Sequence, residues 1–292
     1  MRKIMKSVMK KAGWTVVSLL PVFMFLLIQI GCSVVAMVMI TILETVHMTV
    51  SGQGGAEVAN IAMQRYLDNV IPILVVSQVI AVLVFGLWYY FAYGKKKRPE
   101  GTPKPLPVHY LLIVAVGISA QFFISSILNI IQSFIPQLLE QYNELMEQVG
   151  ITDGAVLTIL STVILAPLSE ELVCRGVGLK LAGKVSTRFW VANVIQALAF
   201  GILHVNLVQG IYAFGLGLIL GALYGRFQNI WLCMLLHAVM NASSFLVEPV
   251  YSLLTPASGE VTPVTFLAVL VLSTVMLALC TIALLKRKTH QI

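Results

Sequence analysis

The sequence predicts an all-α membrane protein, a polytopic bundle of about eight transmembrane helices. Hydrophobic residues make up 59% of the 292 residues and charged residues only 11%, and the mean hydropathy is +0.93. A soluble domain carries about 25% charged residues. Much of the surface must therefore face lipid. No long polar linker divides the sequence, so residues 1–292 are expected to form a single transmembrane domain.

Apolar windows of about 20 residues, the length needed to cross a bilayer, define the spans. The first apolar run follows a basic N-terminus, as in a signal peptide, but it is too long for one and is interpreted as a span. The mixed polarity of residues 132–153 predicts an amphipathic surface helix. The fourth predicted span begins near 155 and contains residues 166–176, and the other seven lie near 14–43, 70–93, 108–132, 189–204, 207–225, 230–247 and 264–285.

The basic residues predict the orientation. They cluster at Arg2–Lys11, Lys95–Arg98, Lys180–Arg188 and Lys286–Lys288, and with eight spans all four clusters fall on the side of the N-terminus. Loops rich in Lys and Arg are typically cytoplasmic, so both termini are predicted to be cytoplasmic. The formal charge of +7 is then explained by topology, and nucleic acid is not expected as a partner.

Two details of the spans predict local structure. Ala213, Gly217, Gly221 and Gly225 repeat every four residues, which predicts a close-packing face for a neighbouring helix. Pro167 removes a backbone hydrogen bond in the fourth span, which predicts a kink or break that frees backbone groups beside the following carboxylates.

The fourth span contains charges, whereas the other spans keep theirs near the ends. Glu170, Glu171 and Arg175 lie within it, and a charge at bilayer depth costs at least ~2.5–3.5 kcal/mol. They therefore indicate either a buried ion cluster or chemistry. Glu171 and Arg175 are four residues apart and are expected to pair on one helix face. Glu170 points about 100° away, toward other helices.

The other polar candidates lie on two later spans. His204 ends the fifth span, with Phe200 one turn before it on the same face, and His237 and Asn241 are one turn apart in the seventh. A lone histidine in an apolar helix usually packs without a further role. Polar residues in spans, however, normally face the bundle interior and find one another, so these side chains are expected to meet Glu170.

This set of residues is sufficient for peptide hydrolysis by two routes. Glu170 can activate a water as general base, His204 can orient that water, and His237 and Asn241 can donate to the oxyanion, each donor contributing about 2.7–4 kcal/mol. Alternatively, Glu170, His204 and His237 can hold zinc as a two-His, one-Glu site. The H-E-x-x-H signature of soluble zinc proteases is absent, and residue spacing leaves both routes open.

The depths of these residues conflict if the helices are straight. At about 1.5 Å per residue, His204 lies ~24–30 Å from the cytoplasmic end of its span, whereas His237 lies only ~14 Å from the end of its own. At least one of the spans is therefore expected to be short, broken or strongly tilted.

The motifs E-E-x-x-x-R, F-x-x-x-H and H-x-x-x-N occur in this order, with Glu170, Phe200 and His237 as their first residues. Together they resemble the CPBP intramembrane proteases, the CAAX-processing and bacteriocin-processing or immunity proteins also called the Abi family. The resemblance covers roughly residues 155–245. It implies a CPBP-like catalytic core whose active site opens toward the cytoplasmic side.

The resemblance also implies the roles of individual residues. Glu170 is expected to activate the water with the support of His204, and His237 with Asn241 to form the oxyanion or metal site. Glu171, Arg175 and Phe200 are expected to be structural. The enzyme would be a metalloprotease containing zinc or a metal-free glutamate protease.

The resemblance implies a peptide or membrane-protein substrate, either prenylated or a leader peptide, and the match to the bacteriocin-associated branch suggests a bacterial plasma membrane. Two other classes of function compete with the protease. One is a non-catalytic bacteriocin-immunity or sensor-partner protein. The other is a small proton-coupled transporter, which the lack of a visible inverted repeat disfavours.

Overall fold

The computed structural model describes residues 2–52, 57–95, 98–148, 155–254 and 263–286. These ranges contain helices and turns and no strand, which confirms the all-α prediction. Parts of the basic clusters, at Lys96, Lys97, Arg287 and Lys288, lie outside them, as do residues 149–153 of the predicted surface segment. The helices are α1 Arg2–Val50, α2 Val58–Asp68, α3 Val70–Tyr89, α4 Pro107–Phe134, α5 Glu140–Gln148, α6 Val156–Ala182, α7 Phe189–Leu203, α8 Leu207–Phe227, α9 Ile230–Ser244, α10 Val247–Leu253 and α11 Pro263–Leu285.

About eight spans were expected, and helix length and composition give slightly fewer candidates. In the described part of the chain six helices are long and apolar enough to cross a membrane, namely α1, α3, α4, α6, α8 and α11. The pair α9 and α10 makes a seventh if it crosses as one unit, bent by 49°. Helix α7 has 15 residues and is therefore about 22 Å long, less than the ~30 Å hydrocarbon core. A short span and a bent span are both present, as the conflicting depths predicted, and the chain is a multi-pass membrane protein.

Helix α6 combines α-helical and π-helical stretches. The π-helical turns Leu160–Leu165 and Leu172–Gly178 flank the α-helical segment Ala166–Glu171. In the first of them the Ala166 N–H donates to the carbonyl of Ser161. The next carbonyl, that of Thr162, would need the N–H of residue 167, which proline lacks. Asn241 Nδ2 donates to this carbonyl instead, at 2.8 Å.

Pro167 therefore frees a backbone group, as predicted, but it does so inside a continuous helix. The wide π-helical turn accommodates the proline ring, and the side chain from α9 satisfies the freed carbonyl. This exchange joins α6 to α9 close to the carboxylates.

The glycine ridge of α8 packs against α7, as its spacing predicted. A Cβ atom added at Gly217 would lie 3.0 Å from Ala197 Cα, and one added at Gly221 would overlap the side-chain oxygen of Asn193. The close approach exposes the Gly217 carbonyl to polar side chains of both neighbouring helices. It accepts hydrogen bonds from Gln196 Nε2 at 2.8 Å and from Arg175 Nη2 at 3.3 Å.

Candidate active site

Glu171 and Arg175 form the ion pair that their spacing predicted. Arg175 Nη1 lies 2.8 Å from Glu171 Oε1, and both side chains are fully buried. The guanidinium also lies 4.4 Å from the centre of the Phe200 ring, a cation–π contact. Because removal of one partner of a buried pair leaves an uncompensated charge, each residue depends strongly on the other.

Glu171 has a second partner that the sequence did not reveal. Its Oε1 lies 2.9 Å from Nδ1 of His237, which is on α9. An ionised carboxylate only accepts hydrogen bonds, so Nδ1 carries a proton and Nε2 is the other, inward-facing nitrogen. This Nε2 lies 3.8 Å from Oε2 of Glu170. Glu171 thus orients His237 toward Glu170 in addition to pairing with Arg175.

His204 approaches Glu170 from the end of α7. As the residue that caps this short helix, it places Nδ1 2.8 Å from the carbonyl oxygen of Phe200. A carbonyl also only accepts, so Nδ1 is the donor and Nε2 is directed at Glu170 Oε2, 4.0 Å away. The Phe200 ring meets both imidazoles edge-on, with centroid distances of 5.0 Å to His204 and 5.6 Å to His237.

Three polar atoms therefore converge on one small space: Oε2 of Glu170 and Nε2 of each histidine. Although it is buried, this carboxylate oxygen has no hydrogen-bond partner within the protein. A buried polar group without a partner is costly. At 3.8 and 4.0 Å from Oε2, the two Nε2 atoms are too distant for direct hydrogen bonds.

The same atoms are of the types that zinc prefers. Tetrahedral zinc holds its nitrogen and oxygen ligands about 3.3–3.5 Å apart, closer than the distances found here. Among the residues that the structure describes, no group of three His, Cys, Asp or Glu side chains has metal-binding spacing. The donors therefore fit zinc in kind, and the two histidines would need to move closer to Glu170 to bind it.

All four candidate catalytic residues line one cavity of about 370 Å³: Glu170, His204, His237 and Asn241. Sequence reasoning overlooked the other polar side chains of its wall. The sequence could have indicated the glutamines that lie in predicted spans, because a glutamine inside an apolar run is unusual. These additional polar residues are Gln29, Gln78, Gln121, Tyr142, Ser161, Thr162, Gln209, Tyr212 and Ser244.

A second, apolar chamber of about 440 Å³ lies between α4, α8 and α11. Tyr212 and Leu216 line both this chamber and the catalytic cavity, so one wall of α8 separates them. Near this wall the hydroxyls of Tyr212 and Tyr142 are 3.5 Å apart. Tyr142 belongs to α5, so the predicted surface segment covers part of the cavity.

The part of the chain that contains these residues is similar to known proteins. Residues 152–243 match the family described as "Type II CAAX prenyl endopeptidase Rce1-like". A relative from Bacillus subtilis (strain 168), named "Putative membrane peptidase YdiL", is 24% identical over 185 residues, covering 62% of this chain and 74% of the relative. No solved structure matches.

The matched segment contains all three sequence motifs, and the fold brings them together. Glu170 and Glu171 come from α6, His204 from the end of α7, and His237 and Asn241 from α9. The family and the relative support an intramembrane protease that acts on peptides in a lipid environment.

Proposed function

We propose that this protein is an intramembrane endopeptidase in which Glu170 activates a water molecule for attack on a peptide bond. The observation that carries the proposal is the convergence of Nε2 of His204 and Nε2 of His237 on the unpartnered Oε2 of Glu170. A carboxylate that can take a proton from a positioned water is a suitable general base.

The hydrogen-bond inventory of the site favours a particular protonation state. A water at the centre donates its two protons to Glu170 Oε2 and His204 Nε2, and it accepts one proton from His237 Nε2. With His237 protonated, its charge and that of Arg175 balance the charges of Glu170 and Glu171. Every polar group around the water is then satisfied within a neutral cluster.

In the reaction, the water oxygen bonds to the carbonyl carbon of the substrate as its proton passes to Glu170. The carbonyl oxygen becomes an oxyanion. Asn241 uses one amide proton for the Thr162 carbonyl and keeps the other for this oxyanion. Glu170 then returns the proton to the amine as the carbon–nitrogen bond breaks, which restores the carboxylate.

Zinc would be held by Glu170, His204 and His237, the residues whose donor atoms face one another. When bound, it would act as a Lewis acid toward the water and the substrate carbonyl. The contacts from Phe200 to His204 and from Glu171 to His237 would then orient the ligands, as outer partners of metal-bound histidines commonly do.

We further propose that the substrate carries an apolar group near the scissile bond. The neighbouring chamber is large enough for a prenyl chain or for the apolar side chains of a leader peptide, and Tyr212 and Leu216 line both this chamber and the catalytic cavity. Cleavage of matched peptides with and without a farnesyl group would measure this preference. Equal cleavage of both would remove the case for a prenyl substrate.

The proposed activity can be tested with purified protein in nanodiscs. Wild type, Glu170→Gln and His204→Ala are incubated with a peptide mixture, with and without a metal chelator, and new termini are identified by mass spectrometry. Glu140→Gln is a control, because Glu140 is an exposed residue of α5. The proposal is supported if wild type and Glu140→Gln cleave a peptide and Glu170→Gln and His204→Ala do not. Binding without cleavage would instead favour the immunity or sensor-partner function, and loss with chelator would assign the metal route.

A further inference from the structure

The catalytic cavity extends from Glu170 toward one end of the helix bundle only. Helices α6 and α9 run in opposite directions and line the cavity from opposite ends of their sequences. In α6 the other lining residues precede Glu170 and are Ser161, Thr162 and Ala166. In α9 they follow His237 and are Met240, Asn241 and Ser244. In α8 the lining residues likewise lie in its first half, from Gln209 to Leu216.

In the other direction the bundle is closed. Beyond the cavity, α6 and α8 continue with fully buried side chains, and so does the part of α9 that precedes His237. Five of these side chains are 0% exposed: Val173, Val177, Leu220, Leu223 and Cys233. Along the helix axes, Glu170 can therefore be reached only from the end where α6 begins and α9 ends.

Contacts between distant parts of the chain show that the closed end carries the basic loops. Lys184, after α6, lies 4.3 Å from the ring centre of Trp14 in α1. Lys180 Nζ donates to Gln228 at 3.0 Å, just after α8. Arg226, at the end of α8, contacts His109 of α4 at 3.5 Å. The loops at this end thus gather positive charge, including Arg98, Lys104 and Arg188.

The open end carries mainly acidic residues. Glu44 near the end of α1 pairs with Arg65 of α2 at 2.7 Å, and the remaining charged side chains at this end, among the described residues, are negative. They are Glu57, Asp68, Glu140, Glu144 and Glu248. The charge difference between the two ends is therefore large, and it does not depend on whether six or seven helices cross the membrane.

We propose that the catalytic cavity opens on the extracytoplasmic side of the membrane. Basic loops are retained in the cytoplasm, and here they lie at the end opposite to the opening. The family resemblance implies a cytoplasmic opening, and cytoplasmic basic loops imply the reverse, so both expectations cannot hold for this chain. Because the basic loops lie opposite to the opening, the charge distribution favours an extracytoplasmic opening.

This inference extends the proposed function, on which its substrate class depends. The enzyme takes a peptide segment that is presented outside the cytoplasm. The wall of the cavity offers uncharged amide and hydroxyl groups, from Gln29, Gln121, Gln209 and Tyr142. Amide side chains both donate and accept hydrogen bonds, so they suit the main chain of an extended peptide and do not select for a charged side chain.

Cysteine labelling in intact cells tests the sidedness without any need for activity. Cys32 and Cys280 are partly exposed and are first replaced by alanine, whereas Cys174 and Cys233 are buried and remain. Single cysteines are then introduced as Gln209→Cys and Ser244→Cys in the cavity, Glu140→Cys on α5 and Lys104→Cys in a basic loop. Labelling in detergent verifies that each new thiol reacts, and each variant must keep the unfolding temperature of its background.

A membrane-impermeant thiol reagent is expected to label the cavity and α5 cysteines in intact cells and to label Lys104→Cys only after permeabilisation. Labelling of Lys104→Cys in intact cells would overturn the proposal, because the bundle would be inverted. Labelling of Gln209→Cys and Ser244→Cys only after permeabilisation would also overturn it, since the cavity would then open inward.

Peptide cleavage by sealed vesicles gives the second arm of the test. A peptide that cannot cross the membrane is expected to be cleaved by right-side-out vesicles and to survive inside-out vesicles. The reverse pattern would contradict the outward opening. If labelling follows the expected pattern but detergent-solubilised protein cleaves no peptide, the sidedness stands and the peptidase function fails.

Discussion

His237 Nδ1 donates a hydrogen bond of 2.9 Å to Glu171 Oε1. The two residues are 66 positions apart in the sequence and belong to different helices. The same carboxylate oxygen accepts from Arg175 at 2.8 Å. One buried oxygen therefore both neutralises a buried guanidinium and orients the imidazole that faces Glu170. The two neighbouring glutamates of the motif consequently have different tasks, and their substitutions are expected to have different effects.

Glu171→Gln is expected to destabilise the protein strongly. It removes the negative charge beside the fully buried Arg175, and loss of one partner of a buried pair costs about 3–5 kcal/mol. Thermal unfolding in detergent would show a lowered midpoint, together with loss of activity. Glu140→Gln provides the matched control on an exposed surface. An unchanged midpoint for Glu171→Gln would mean that the pair does not stabilise the fold.

Asn241→Ala and Pro167→Ala are expected to be coupled. Asn241→Ala leaves the Thr162 carbonyl without its side-chain partner, which costs about 1–3 kcal/mol for a buried group. Pro167→Ala restores a backbone N–H that can take over this bond. The double variant should therefore be more stable than the sum of the single effects predicts, by about 0.5–3 kcal/mol. Purely additive effects in unfolding measurements would contradict the account of this π-helical turn.

Gly221→Ala is expected to destabilise the contact between α7 and α8. The added Cβ overlaps Asn193, and overpacking of this kind costs about 1–3 kcal/mol. Gly215→Ala on the same helix is the matched control, because nothing lies within 4 Å of its new Cβ. The control should be neutral or slightly stabilising, since alanine favours helix over glycine. Equal unfolding midpoints for the two variants would argue against close packing at the ridge.

His204→Ala is expected to lower the rate of peptide cleavage by about 10²–10⁴, the usual contribution of a positioned proton-transfer group. The side chain ends a short helix and is partly accessible from the cavity, so stability should change little. The measurement is kcat and KM on one cleaved peptide. An increase in KM with an unchanged kcat would mean that His204 contributes to substrate binding and not to the chemical step.

Much of the candidate site followed from periodicity, because helix geometry fixes which residues share a face. The pairing of Glu171 with Arg175, the separate direction of Glu170 and the glycine ridge of α8 all depend on spacing within one helix. The carbonyl freed by Pro167 follows equally from local chemistry. These features required no knowledge of how the helices pack.

Other features depend on contacts between helices and could not be read from spacing. The bond from His237 to Glu171 joins α9 to α6, and the Tyr142–Tyr212 contact joins a surface helix to α8. The difference between about eight expected spans and the six or seven candidate helices has a related cause. An apolar run predicts burial or lipid contact, but it does not reveal that the chain bends after Ser244.

The measurement that tests the central claim most directly compares wild type with Glu170→Gln on one cleaved peptide, with unfolding measured on the same samples. Glutamine keeps the shape of the side chain and removes its capacity as a base. The account predicts a loss of cleavage of at least about 10²-fold with an unchanged unfolding midpoint. Cleavage by Glu170→Gln at the wild-type rate would show that Glu170 does not activate the water.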